Sequence, residues 1–77
     1  MREQIRETLA EVFERPVADV PSDATNQTLD GWDSLRHLEL MLALEMKFGV
    51  RMTSAVIPTL LSVDAIEDYL REQGTGA

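Results

Sequence analysis

The 77-residue chain predicts an all-α fold, a small four-helix bundle with a long first loop and a short, irregular third helix. Three observations carry that prediction. Apolar residues recur every three or four positions in three separate stretches, the helical period. Clusters of proline, glycine and small polar residues separate those stretches. The length permits one small domain, taken as residues 1–77 with its core over about 2–73.

In the first stretch Ile5, Leu9, Val12 and Phe13 recur at helical spacing, with Glu3, Arg6, Glu7 and Glu11 around the opposite side. Residues 2 to 14 therefore predict an amphipathic first helix. Pro16 ends it, because the residue before a proline is pushed out of helical geometry. Pro16, Pro21, Ser22, Asp23, Asn26 and Gly31 then make residues 15 to 33 a long connection that Val17, Val20, Ala24 and Leu29 can pin to the core. A connection this long in so short a chain is expected to be a packed functional loop and not a loose linker.

Asp33 or Ser34 can cap the second helix. Leu35, Leu38 and Leu42 on one stripe, with Leu40, Leu44 and Phe48 on the next, make it apolar over much of its circumference. That pattern predicts a central helix with Leu38 and Phe48 buried. Gly49 is placed to terminate it. Between Thr53 and Leu60, Pro58 removes a backbone donor, so this segment is read as the short, irregular third helix. Ser62, Asp64 and Ala65 open the last helix, in which Val63, Ile66, Tyr69 and Leu70 give the core stripe and Glu67, Asp68, Arg71 and Glu72 the solvated side. Gly74 closes it, and residues 74–77 are expected to form a flexible tail.

The 14 acidic and 7 basic residues give a formal charge of -7, which repels nucleic-acid phosphates and anionic lipid and favours basic protein partners. Nucleic acid is therefore not expected as a ligand. The absence of cysteine excludes disulfides, a cysteine nucleophile and thiolate metal sites, so any reactive thiol must be imported. It also fits a reducing cytoplasm. Met1-Arg2-Glu3-Gln4 carries no apolar signal core, and the run from Leu40 to Leu44 is too short to span a membrane. The expectation is a soluble cytoplasmic monomer. A core this small leaves little room for an enclosed active site, which favours a binding or carrier role.

Gly31-Trp32-Asp33-Ser34-Leu35 stands where the turn-rich stretch meets the apolar helix, and so places one serine hydroxyl at an exposed helix start. A helix N-terminus offers unpaired N–H groups and the positive end of the backbone dipole, so a phosphate ester on Ser34 would be stabilised there. Two other chemistries fail on spacing. Asp33, Ser34 and His37 suggest a hydrolase, but the nucleophile elbow needs glycines where Trp32 and Arg36 stand. His37 then reads as a lone surface histidine. Asn26, Thr28, Asp30 and Gly31 fall in the register of a calcium loop, but His37 occupies the place of the required bidentate glutamate. No metal is assigned to the chain.

Asp33-Ser34-Leu35, with Gly31 before it and Leu38-Glu39-Leu40 after it, resembles the attachment motif of the acyl carrier protein family. The resemblance extends through the first helix, the long loop, Ala43-Leu44-Glu45, Phe48, Val63 and Asp68-Tyr69-Leu70. It implies the four-helix fold of that family and phosphopantetheine bonded to Ser34, whose terminal thiol holds acyl or aminoacyl groups as thioesters. It implies no catalysis by the chain itself. Its implied partners are a phosphopantetheinyl transferase, a loading ligase or acyltransferase, and downstream biosynthetic enzymes. Asp33 is implied in recognition by the transferase and its magnesium ion, which belongs to the enzyme, and Leu35 in both packing and transferase contact. Trp32 is read as a shield for the loop. Leu35, Leu44, Met52, Ile57, Leu60 and Ile66 match positions that line an acyl cavity, although a closed core fits the pattern equally.

Fatty-acid carriers in that family usually have an acid two residues after the serine and further acids along the second and third helices. Here Arg36 and His37 follow Leu35, Met46 and Lys47 dilute the acidic face left by Glu39 and Glu45, and Ser54 to Pro58 contains no acid. These departures point to a specialised polyketide, nonribosomal-peptide or aminoacyl pathway. The alternatives are a carrier for general fatty-acid synthesis, or a helical interaction module without a prosthetic group. The expected partner surface is Asp33, Leu35, Arg36, His37 and Glu39, with Val56 and Ile57 joining it or packing inward. Arg36, one turn into the helix, is expected to stand beside the arm and filter partners by charge.

Overall fold

The computed structural model describes residues 1–74. It contains three α-helices, α1 (Arg2–Phe13), α2 (Ser34–Phe48) and α3 (Val63–Glu72), and two single 3₁₀ turns at Val17–Asp19 and Ile57–Thr59. The expected third helix is therefore only a turn, and the bundle has three helices where four were expected. Pro58 stands inside that turn. The Val56 and Ile57 N–H groups both return to the Thr53 carbonyl, and Leu60 then leaves the helical region.

α1 ends before Pro16 can act on it. Glu14 adopts a left-handed conformation at φ 56°, and the Arg15 N–H closes back on the Ala10 carbonyl at 3.0 Å. This is the Schellman closure, made here without glycine. The 15–33 connection is packed as expected, since Val20, Ala24 and Leu29 are buried and Val17 packs on the core. Arg6 holds it from α1, donating from Nε to the Val20 carbonyl (2.7 Å) and from Nη2 to the Val17 carbonyl (3.0 Å). An antiparallel bridge joins it to the start of α3, where the Asn26 N–H donates to Leu61 and the Val63 N–H to Ala24, both at 2.9 Å.

α1 packs against both α2 and α3 and so holds the central place expected for α2. Ile5 and Leu9 of α1, Leu40, Met41 and Leu44 of α2, and Val63, Ile66 and Leu70 of α3 fill the core. On α2 the inward stripe is His37, Leu40, Met41 and Leu44. The other stripe faces outward: Leu35 is 67 %, Leu38 52 %, Leu42 61 % and Met46 86 % exposed. Leu38 is thus not buried as expected, and Phe48 is only half-buried. The reason is geometric. Two apolar stripes of similar strength run along α2, and α1 covers one of them.

The remaining ends follow the sequence. Gly49 stops α2 at φ 66°, its N–H bonded to the Glu45 carbonyl. Ser62 caps α3 by accepting from the Ala65 N–H at 3.0 Å, and the Gly74 N–H closes the other end on Arg71. Of the expected tail, residues 75–77 lie outside the described residues. Among the described residues no helix is long and apolar enough to cross a membrane.

One guanidinium joins the start of α1 to α3. Arg2 Nη2 lies 2.6 Å from both Asp64 and Glu67, and Nη1 donates to the Ser22 carbonyl. The hydrogen bond from Arg2 holds the Glu67 carboxyl below its ordinary pKa, against an opposing effect of burial. A carboxyl lowered in the folded state adds stability above its unfolded pKa and loses it as the pH falls through the folded value. Glu67→Gln is expected to lower stability at neutral pH and to flatten the acid limb. Urea midpoints at neutral pH and at about pH 3 test this; parallel losses in parent and variant would detach Glu67 from acid stability.

Candidate functional site

The start of α2 is set by three backbone states in succession. Gly31 turns the chain at φ 89°, a left-handed value natural to glycine. Asp33 is extended, at φ −103° and ψ −175°, and its Oδ1 accepts from the Arg36 N–H at 2.8 Å. Asp33 is therefore the cap, which resolves the choice between Asp33 and Ser34. Ser34 becomes the first helical residue. Its hydroxyl is exposed and makes no hydrogen bond among the described residues.

Behind the serine, Trp32 and His37 are buried together, each 8 % exposed. The indole N–H of Trp32 donates to His37 Nδ1 at 3.0 Å. Since that nitrogen must accept, the proton sits on Nε2, which donates to the Ile57 carbonyl at 2.7 Å. The Trp32 ring meets Phe13 edge-on, with centroids 5.6 Å apart at 82°. His37 is thus not a surface histidine. It ties the start of α2 to the 57–59 turn. Both ring nitrogens are engaged, so neither serves Ser34 as a base, and the hydrolase arrangement is absent.

Arg36 is also turned away from the serine. Its guanidinium donates to the Val12 carbonyl and lies 3.5 Å from Glu14 and 3.8 Å from Glu39. The guanidinium thus clamps α2 to the end of α1. Asp33, Leu35 and Glu39 are exposed, whereas Val56 and Ile57 are half-buried and pack on the core.

A recess of about 290 Å³ opens beside Ser34, lined by Asn26, Trp32, Asp33, Ser34, His37 and Leu61. None of the six residues expected to line an acyl cavity takes part. Leu44, Met52, Leu60 and Ile66 are buried in the core, Leu35 is exposed, and Ile57 is half-buried. Sequence spacing could not reveal this recess, because its walls come from the long loop, the first turn of α2 and the approach to α3. Among the described residues no cluster of three or more His, Asp or Glu is arranged to hold a metal.

The serine fits a phosphodiester. The oxygen is unburdened by capping, and the first-turn N–H groups project from the helix end. The Asp33 carboxylate next to it adds no attraction for an anion, so the group would be held by its covalent bond rather than by charge. A small helical domain that presents one exposed, unbonded serine hydroxyl at a helix start has the form of a carrier domain.

Comparison with known proteins gives the same class. The family model described as "Phosphopantetheine attachment site" matches residues 3–70. The chain is 35 % identical over 69 residues to "Polyketide-8 synthase acyl carrier protein 2" of Streptomyces avermitilis, an alignment covering 90 % of this chain and 79 % of that protein. The chain belongs to the acyl carrier protein family, whose members carry covalently attached phosphopantetheine.

Proposed function

We propose that Ser34 is the attachment residue and that the chain, as one domain over residues 1–77, carries acyl intermediates for a pathway of the polyketide type. The observation that carries this reading is the division of labour between Asp33, which caps α2, and Ser34, whose hydroxyl is left exposed and unbonded. Attachment by a phosphopantetheinyl transferase replaces the Oγ–H bond with Oγ–P. The P–O bond to the nucleotide part of coenzyme A breaks, and the serine proton passes to a base of the transferase. The group supplies the thiol that this cysteine-free chain lacks. The chain's contribution is to hold the attachment point rigidly and to raise the local concentration of cargo at each enzyme it visits. The reading places the protein in the cytoplasm as a monomer, where coenzyme A is at hand.

A polyketide pathway is favoured by the similarity to a polyketide synthase acyl carrier protein and by the composition of the outer face of α2. Leu35, Leu38, Leu42 and Met46 form one outward stripe that begins beside Ser34, with Asp33 and Glu39 at its edges. Aligned exposed apolar side chains mark an interaction surface. The charges around them are largely engaged. Glu45 accepts from the Met52 N–H at 2.7 Å, Lys47 pairs with Glu11, and Arg36 with Glu14 and Glu39. The transferase, the loading ligase or acyltransferase and later enzymes would therefore meet an apolar strip and not the acidic one of fatty-acid carriers.

The test is a mass spectrum after incubation with coenzyme A and a broad-specificity transferase, which should show one added phosphopantetheine per chain. No addition would refute the carrier reading. In the same assay Leu42→Glu should load several-fold more slowly at an unchanged melting temperature, because it places a charge in the strip without touching the core. An unchanged rate would remove the strip from the partner surface.

A further inference from the structure

From the recess beside Ser34 we infer a seat for the first segment of the arm, the hydroxylated, gem-dimethyl acyl unit and its amide that follow the phosphate. This rests on attachment at Ser34. Ser34 and Asp33 are among the lining residues, so a group bonded to Oγ starts at the edge of this recess. At about 30 Å³ for each water-sized unit, 290 Å³ admits roughly ten heavy atoms. That is the size of the segment named, and it is too small for the whole arm with its cargo.

The lining matches the segment chemically. Leu61 and the Trp32 ring offer apolar surface for the two methyl groups. The Asn26 carboxamide makes no hydrogen bond among the described residues and can both donate and accept, as a hydroxyl beside an amide requires. The other polar groups are committed: His37 to Trp32 and Ile57, and Asp33 Oδ1 to the Arg36 N–H. They shape the recess, and Asn26 recognises.

The seat is also preformed. The Asn26 N–H donates to the Leu61 carbonyl at 2.9 Å, so these two lining residues are fixed side by side by the bridge between the loop and the start of α3. The bonds from Trp32 through His37 to Ile57 fix the floor. Walls that need no reordering spare the entropy that binding otherwise costs. His37 lies on the inward face of α2 and the Leu35, Leu38, Leu42 and Met46 strip on the outward face, so the recess and the strip meet only at Asp33 and Ser34.

The experiment compares the unmodified and phosphopantetheine-loaded protein by NMR, with loading verified by mass. Expected are cross-relaxation peaks from the geminal methyls to Leu61 and to the Asn26 carboxamide, together with shift changes at Asn26, at the Trp32 indole N–H and at Leu61. The double variant Asn26→Ala with Leu61→Ala alters two exposed side chains and should load fully while losing the loading-dependent shift change at the Trp32 indole N–H, a reporter that both substitutions leave in place. A fully loaded protein whose shift changes stop at the neighbours of Ser34, with no such peaks, would overturn the inference. Failure to load at all would instead remove the attachment at Ser34, and the seat with it.

Discussion

Ser34→Ala is expected to fold like the parent and to gain no phosphopantetheine under conditions in which every parent chain gains one. The loss should be complete, because no neighbouring atom can take the place of the attachment oxygen. The unchanged fold follows from the cap. Asp33, not Ser34, satisfies the Arg36 N–H, the serine hydroxyl makes no hydrogen bond among the described residues, and alanine is the best helix former for the vacated position. The melting temperature should therefore move by no more than a few degrees, as for surface substitutions remote from caps and core. Mass spectrometry and a thermal melt on the same sample check both halves. Ser22, Ser54 and Ser62 are the other serines, so a variant that still gains the mass would place the attachment on one of them.

The next largest effect is expected in α2, where two leucines six residues apart should respond oppositely. Leu44 is wholly buried against α1, and Leu44→Ala should cost about 2–5 kcal/mol, the range for emptying a core leucine site. In a domain of this size about 1 kcal/mol moves the melting point by roughly 4–8 °C, so a drop of about 10 °C or more is expected. Leu38 is 52 % exposed, and Leu38→Ala should change stability by no more than about 0.5 kcal/mol. A thermal melt of each variant decides. Equal losses would mean that α2 is rotated about its axis relative to the packing described.

Much of this was legible in the sequence because it depends on near neighbours. The three helices announce themselves by period. Gly49, Ser62 and Gly74 mark their ends, and the Gly31 to Leu35 motif marks the serine. The inward face of α2 was not legible, since the Leu35–Leu38–Leu42 and Leu40–Leu44 stripes are equally apolar and only the placement of α1 chooses between them. The burial of His37 and the clamp made by Arg36 were not legible for a related reason. Their partners, the carbonyls of Ile57 and Val12, lie 20 and 24 residues away, and no local pattern links them. At Pro58 one missing donor in so short a segment leaves a turn and no helix.

Trp32 is the single tryptophan of the chain, and it stands two residues before Ser34, the proposed attachment residue. Ultraviolet emission excited beyond the tyrosine band therefore arises from one indole, hydrogen-bonded to His37 and set edge-on against Phe13. The molecule thus carries its own optical probe beside the proposed point of modification. Modification of Ser34 is expected to shift the emission of that single chromophore, which makes it measurable on unlabelled protein.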